Sequence, residues 1–186
     1  MQERNYFELF GIKEKLNLDM KELQQRFYDL SRQVHPDYHQ TSVQKDLSLD
    51  LSSSLNHAFA TLKDRDKRLI YVIERYLGPL QDQKGKKNAP AEMLMELMEM
   101  QEKLMEYQSE PTEELHQHLN EMIAHLGKEK ENFNKEIDAL AEKFDQETAP
   151  EKKVELITAI RDILLKKNYI RSSLRTILNT LNPDEL

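Results

Sequence analysis

The sequence contains no cysteine and no tryptophan, and only four of its 186 residues are glycine and six are proline. Without cysteine the chain has no disulfide bonds, no thiolate zinc site, no cysteine-ligated iron–sulfur cluster and no cysteine nucleophile. So few glycines and prolines leave too few tight turns for an all-β protein. No apolar run approaches the roughly 18 residues that a membrane-spanning helix needs.

The beginning of the chain shows no targeting segment. The first five residues lead directly into Tyr6-Phe7-Glu8-Leu9-Phe10, without the apolar core of a signal peptide or a long presequence rich in Arg and Ser. Together with the missing membrane span, this predicts an intracellular, cytoplasmic protein.

Helix-forming and charged residues are abundant instead. Leu, Glu, Lys, Gln and Met dominate, which favours an all-α fold. Charged residues make up 33% of the chain, against roughly 25% in typical globular domains. Residues 1–80 hold 12 basic and 12 acidic residues, whereas residues 81–186 hold 15 and 22 and carry the whole net charge of −7. This acidic half argues against binding to nucleic acid or to an anionic membrane.

A polar segment with two glycines and two prolines divides the chain. We predict an N-terminal domain over residues 1–78, a linker over residues 79–90 and a C-terminal domain over residues 91–186. Short connections between three longer helices predict that the C-terminal domain is an antiparallel three-helix bundle. Its last helix is predicted to begin with a capping box formed by Thr148 and Glu151.

The second predicted helix of the N-terminal domain has clear start and stop signals. Asp19 is a candidate N-cap, with Glu22 three residues on. Pro36 disfavours helical geometry at the residue before it, so the helix must end near Val34. Its apolar positions recur with helical spacing, at Leu23, Phe27, Leu30 and Val34.

The most informative motif is His35-Pro36-Asp37, directly after this helix. Pro36 ends the helix and restricts the backbone, so that the His35 ring is presented at a loop tip. Asp37 offers a carboxylate for a charge-assisted hydrogen bond to an arginine. By itself the tripeptide leaves two interpretations open: a rigid polar docking tip, or a plain helix-terminating turn.

The context of the motif resembles the J-domain of DnaJ-type co-chaperones over residues 1 to about 78. A short aromatic helix precedes a helical hairpin that carries the tripeptide, and a short basic helix follows it. The resemblance implies that His35, Pro36 and Asp37 stimulate ATP hydrolysis by a DnaK-class chaperone. It also implies that basic residues of the second helix contact that chaperone. The basic residues available there are Lys21, Arg26 and Arg32.

Two departures from the J-domain pattern suggest a specialised chaperone partner. The basic residues of the second helix are sparser than in typical J-domains, and Asp29 lies among them. Tyr38 stands where a Lys or Arg usually follows the tripeptide.

A J-domain followed by a short three-helix bundle is similar to the HscB family, J-type co-chaperones of iron–sulfur cluster assembly. Its strongest stretches are residues 23–37 and 93–104, and the resemblance extends over nearly the whole chain. The segment Leu94-Met95-Glu96-Leu97-Met98-Glu99 resembles the one with which the family binds the scaffold protein IscU. Tyr169 occupies the place of an aromatic residue that the family uses on the same scaffold. The implied partners are an IscU-like scaffold and a DnaK-class chaperone of the HscA type.

The helix after Pro90 indicates a binding surface independently of the family. At about 100° per residue, one side of this helix carries Met93, Leu97, Met100, Leu104 and Tyr107, and a second apolar stripe carries Leu94, Met98 and Met105. A helix with two neighbours also needs two apolar faces, which is the alternative explanation. Methionine is over-used at adaptable binding surfaces, however, and glutamates border the second stripe. We therefore predict a scaffold-binding patch of Leu94, Met95, Met98, Glu99, Glu102 and Tyr169.

No catalytic or metal-binding constellation is evident. His118 and His125 share a helix face but are about two turns apart, and no glycine-rich phosphate loop is present. We expect a protein that is not an enzyme and needs no cofactor or metal. Two rival interpretations remain: a J-domain adaptor for an unrelated client, and a helical interaction protein whose tripeptide is accidental.

Overall fold

A computed structural model describes residues 5–34, 42–80 and 91–182. Within these ranges there is no β-strand, and no helix is long and apolar enough to cross a membrane. The described residues form seven helices, which confirms the predicted all-α fold: α1 (Tyr6–Leu9), α2 (Met20–Gln33), α3 (Ser42–Lys63), α4 (Arg65–Leu77), α5 (Ala91–Ser109), α6 (Glu113–Gln146) and α7 (Pro150–Leu181).

The predicted ends of α2 are confirmed. The Asp19 carboxylate accepts hydrogen bonds from the backbone N–H groups of Lys21, at 2.8 Å, and Glu22, at 3.3 Å. These bonds satisfy two of the N–H groups that the first turn of a helix leaves unpaired. At the other end the Val34 N–H donates to the Leu30 carbonyl at 3.1 Å, directly before the tripeptide.

The start of α7 differs from the predicted capping box. The Glu147 carboxylate, one residue before Thr148, accepts from the N–H groups of Ala149, at 2.9 Å, and of Thr148, at 2.8 Å. These two bonds hold the pKa of Glu147 below its usual value. A flexible glutamate side chain before a helix can fold back onto exposed N–H groups, and the capping-box pattern does not consider that position.

Contacts divide the chain into two compact units. The first comprises Met1–Pro79 together with Ala141–Ile157, and the second comprises Leu80–Leu140 together with Thr158–Leu186. The sequence-based division assigned all of residues 91–186 to the C-terminal domain. The two divisions differ at the end of α6 and the beginning of α7, which pack with the N-terminal residues.

Aromatic stacking joins the helices of the first unit. Phe27 of α2 stacks on Phe59 of α3 with ring centroids 4.2 Å apart. Tyr6 of α1 stacks on Tyr71 of α4 at 4.3 Å, and the Tyr71 hydroxyl accepts a hydrogen bond from the Tyr6 N–H. The first pair joins the two arms of the helical hairpin, and the second joins α1 to α4.

Phe144, near the end of α6, belongs to the same core. Its side chain is fully buried, the Tyr76 ring meets it edge-on at 5.7 Å, and the Lys153 ammonium lies 4.6 Å from its ring centroid. Tyr76 also donates a hydrogen bond to Glu14 at 2.7 Å. Burial, and then this bond, raise the pKa of Tyr76. The C-terminal end of α6 therefore contributes one of the large core side chains of the first unit.

The loop between α1 and α2 is held by two charged side chains. The Asp145 carboxylate accepts from the N–H groups of Leu16, at 2.6 Å, and Asn17, at 2.9 Å. The buried Arg68 guanidinium donates to the carbonyls of Leu16, at 2.9 Å, and Leu62. Burial lowers the pKa of Arg68, and the nearby Asp145 carboxylate acts in the opposite direction.

Replacing Asp145 with Asn is expected to destabilise the first unit. An amide has one acceptor oxygen, so only one of the two loop N–H groups keeps a partner, and that bond is no longer charge-assisted. The expected loss is about 1–3 kcal/mol of unfolding free energy, measured by urea unfolding. Glu142→Gln, an exposed neutralisation on the same helix, is the matched control and is expected to change little. Equal stability of the two variants would contradict this role for Asp145.

In the second unit α5 packs against α6 and α7. Met100 and Leu104 of α5, Leu119 of α6 and Ile177 of α7 form one buried cluster. This contact between three helices agrees with the predicted bundle. The partly buried residues packed against the cluster are Leu97, Tyr107, Met122, Ile123, Leu126 and Leu181.

Candidate functional site

The predicted chaperone-binding residues of α2 are exposed. Lys21, Arg26 and Arg32 all lie on the surface of this helix, whose buried residue is Leu23. At about 100° per residue, Lys21 and Arg32 share the side of α2 opposite Leu23, and Arg26 lies about a third of a turn away. Arg26 forms an exposed ion pair with Glu22 at 3.7 Å. A pair of this kind contributes little to stability, so the guanidinium is available to a partner.

Tyr28 is a further candidate that sequence reasoning missed. By the same helical spacing it lies between Lys21 and Arg32 on the outward side of α2, and its side chain is 51% exposed. Gln24, one turn earlier, donates a hydrogen bond to its hydroxyl at 3.1 Å. An exposed aromatic ring between two cations is a common contact residue in protein interfaces. Its position opposite the apolar stripe of α2 was the available signal.

His35, Pro36 and Asp37 lie outside the residues that the structure describes. The residue directly before them is described, and its carbonyl is held from the other arm of the hairpin. The Ser52 hydroxyl of α3 donates to the Val34 carbonyl at 3.2 Å. Together with the stacked rings of Phe27 and Phe59, this bond fixes the point from which the tripeptide segment departs.

The predicted scaffold-binding patch lies on the outer face of α5. Met95 and Met98 are 71% and 70% exposed, and Leu94 is 37% exposed. Glu99 and Glu102 are also exposed. The opposite face of α5 carries Met100 and Leu104 into the buried cluster. The described part of α5 thus presents a buried and an exposed apolar face, which confirms the predicted exposure of the second stripe; its binding role stays a prediction.

The surface of α5 is strongly acidic. The helix contains five glutamates and a single basic residue, Lys103. The Lys103 ammonium donates to the Glu106 carboxylate at 2.9 Å, and this bond raises the pKa of Lys103. The exposed methionines are therefore surrounded by excess negative charge.

A groove in the second unit adjoins this patch. It has a volume of about 340 Å³, and all three helices of the unit contribute to it. Glu99 and Tyr169, two residues of the predicted patch, line it directly, whereas Leu94, Met95, Met98 and Glu102 do not. The structure thus places Tyr169 of α7 and Glu99 of α5 at one concavity.

The described residues contain no group of three or more His, Asp or Glu side chains arranged to hold a metal ion. His118 and His125 of α6 both line the groove, together with Glu121. His116 contacts Tyr107 instead, with 3.1 Å between its Nδ1 and the Tyr107 hydroxyl.

Comparison with known proteins identifies the N-terminal part. Residues 5–71 match the DnaJ domain family. The match includes α1, α2, α3 and most of α4, and it spans the tripeptide. This match confirms the resemblance of the N-terminal part of the chain to a J-domain.

Its similarity to curated proteins is more specific. The chain is 32% identical over 100 residues to the co-chaperone protein HscB homolog of Aliivibrio fischeri, across 53% of this chain and 58% of that protein. It is 39% identical over 69 residues to the HscB homolog of Acinetobacter baumannii, across 37% of this chain and 38% of that protein. The chain thus covers somewhat more than half the length of the first of these relatives and less of the second.

The fold is shared with a solved structure of the same name. The human co-chaperone protein HscB superposes with a TM-score of 0.65 and 24% identity, over 100% of this chain and 85% of that one. At this identity the comparison shows a common fold. The curated relatives confirm the resemblance of the chain to the HscB co-chaperones, and the solved structure confirms the fold that the resemblance implies.

Proposed function

We propose that this protein is a J-type co-chaperone of iron–sulfur cluster assembly. It brings an IscU-like scaffold protein to a DnaK-class ATPase chaperone of the HscA type and stimulates ATP hydrolysis by that chaperone. The observation that carries the proposal is the exposure of Met95 and Met98, 71% and 70%, in a chain that also contains a DnaJ domain. The similarity to proteins named HscB supports the assignment to cluster assembly.

On the N-terminal domain, α2 supplies positive charge that binds the chaperone, and the tripeptide stimulates ATP hydrolysis by that chaperone. Lys21, Arg26 and Arg32 are exposed and suit an acidic partner surface. The tripeptide begins one residue after a carbonyl that Ser52 holds, so docking of α2 sets the place of His35 relative to the chaperone. The chain itself supplies no phosphate-binding loop, and the partner performs the hydrolysis.

At the scaffold end, the exposed face of α5 provides apolar area. Fully burying a methionine side chain contributes roughly 1.5–3 kcal/mol, so Met95 and Met98 together can serve as the anchor of a specific interface. Unbranched thioether side chains also repack against partner surfaces of varied shape. The flanking Glu99 and Glu102 form a polar rim that orients the partner.

The function depends on having the chaperone-binding surface and the scaffold-binding surface on one chain. A scaffold bound to α5 is held near the chaperone that docks on α2, which raises its effective concentration there. Stimulated hydrolysis then traps the client on the chaperone. The consequence is release or transfer of the cluster from the scaffold.

The double substitution Leu94→Ala with Met98→Ala tests the scaffold end. Removing two exposed anchors is expected to weaken scaffold binding about tenfold or more, because buried interface anchors carry most of the binding energy. The measurements are scaffold affinity by titration calorimetry and steady-state ATP hydrolysis by an HscA-type chaperone with the scaffold present. Wild-type protein is expected to stimulate hydrolysis strongly, and the double variant to do so only at higher scaffold concentration.

Leu178→Ala is the matched control, because Leu178 is 43% exposed on α7 and lies outside both the predicted patch and the second apolar stripe of α5. It is expected to bind the scaffold like the wild type. If the double variant stimulates ATP hydrolysis as well as the wild type, the patch is not the scaffold-binding site. That result would favour an adaptor for an unrelated client. Absence of stimulation of both HscA-type and general DnaK chaperones would overturn the co-chaperone function.

A further inference from the structure

The groove beside the patch has an apolar floor. Residues of α5, α6 and α7 meet there around a volume of about 340 Å³, which is large enough for the biggest side chains. Its apolar lining consists of Leu97, Met100, Met122, Leu126 and Ile170. The groove is thus an extension of the buried cluster of the second unit that remains open to a partner.

Three carboxylates make the groove acidic, and two histidines, a tyrosine and a serine complete its lining. Glu96, Glu99 and Glu121 all line it, and neither lysine nor arginine does. Lys103, the single basic residue of α5, is bonded to Glu106 instead. An apolar concavity edged by three carboxylates is complementary to an apolar side chain that has a cationic neighbour.

We propose that this groove is a second docking element for the scaffold protein, which receives an apolar side chain adjacent to a lysine or arginine of that partner. This inference rests on the proposed function and extends it from the outer face of α5 to α6. Glu121 is its specificity-determining residue, because it is the one acidic lining residue contributed by α6. The partner's basic residue pairs with the carboxylates while the apolar side chain covers the floor.

Continuity with the predicted patch supports the same occupant for both surfaces. Glu99 and Tyr169 belong to the patch and also line the groove. A partner seated on Met95 and Met98 that also contacts Tyr169 therefore extends over the groove. One partner covering both surfaces buries more apolar area than α5 provides by itself.

The excess of carboxylates also predicts selectivity. A partner segment with acidic residues would place like charges together, which costs affinity, whereas a basic segment is attracted during encounter. Binding of the scaffold is therefore expected to weaken as salt concentration rises.

Glu121→Lys tests the groove directly. Reversing this charge is expected to weaken scaffold binding about fivefold or more and to reduce its dependence on salt concentration. Calorimetric titration of the full-length variant with the IscU-like scaffold at two ionic strengths measures both effects. Glu131→Lys is the matched control: Glu131 is exposed on the same helix but does not line the groove, and its affinity is expected to stay within about twofold of wild type.

Methionine methyl NMR gives a second, local measurement. Met122 lines the groove and Met98 lies outside it, so the methyl signals of both are expected to shift at the same scaffold concentration. If Met98 responds while Met122 does not and Glu121→Lys binds normally, the groove is not a docking element but the proposed function stands. If wild-type protein binds no scaffold at all, the proposed function and the groove inference both fail.

Discussion

His35→Gln is expected to abolish stimulation of the chaperone's ATP hydrolysis while leaving scaffold affinity within about twofold of wild type. Glutamine keeps a hydrogen-bonding side chain but lacks the imidazole ring and its ability to become positively charged. The change lies in the tripeptide that follows α2, and α5 carries the predicted scaffold contacts. Loss of ATPase stimulation with retention of scaffold binding would show that the two activities depend on separate surfaces of the chain.

The same substitution four residues further on, His39→Gln, is the matched control. It changes the same side chain in the same segment outside the tripeptide, and stimulation is expected to persist. The measurements are steady-state ATP hydrolysis and calorimetric titration with the scaffold. Full stimulation by His35→Gln would mean that the tripeptide is an accidental helix-terminating turn.

Phe144→Ala is expected to destabilise the first unit by about 3–5 kcal/mol, as for other buried Phe-to-Ala changes. The side chain is fully buried, with the Tyr76 ring edge-on at 5.7 Å and the Lys153 ammonium 4.6 Å from its centroid. Alanine leaves a cavity and removes both ring contacts. Although residue 144 is far along the chain, the loss should therefore appear in the N-terminal helices.

Native-state hydrogen exchange of the full-length protein locates this effect. The N–H of Val72 in α4 is expected to lose protection, whereas that of Leu119 in α6 is expected to keep it. Phe144→Leu, which retains much of the apolar volume, is expected to lose clearly less protection at Val72 than Phe144→Ala. Unchanged protection at Val72 in the alanine variant would show that the C-terminal end of α6 is not part of the N-terminal core.

The predictions from the sequence that succeeded depend on local rules. Asp19 caps α2 because a short carboxylate before a helix reaches the free N–H groups of its first turn. α2 ends at Gln33, with Val34 as its C-cap, because Pro36 disfavours helical geometry at the residue before it. The two faces of α5 follow from side-chain spacing, since Met100 is 4% and Met98 is 70% exposed. Each of these features involves residues within a few positions of one another.

The sequence itself therefore determined the seven helices, the DnaJ-like hairpin and the exposed methionine face of α5. Tertiary structure decided which surfaces come together: the Asp145 carboxylate holds the N–H of Leu16, 129 residues away in sequence, and α6 and α7 complete the groove beside α5. Helical periodicity shows which side of a helix is apolar but carries no information about the partner that covers it. Only packing selects that partner, because burial of apolar area is non-directional and many pairings of apolar faces satisfy the same pattern.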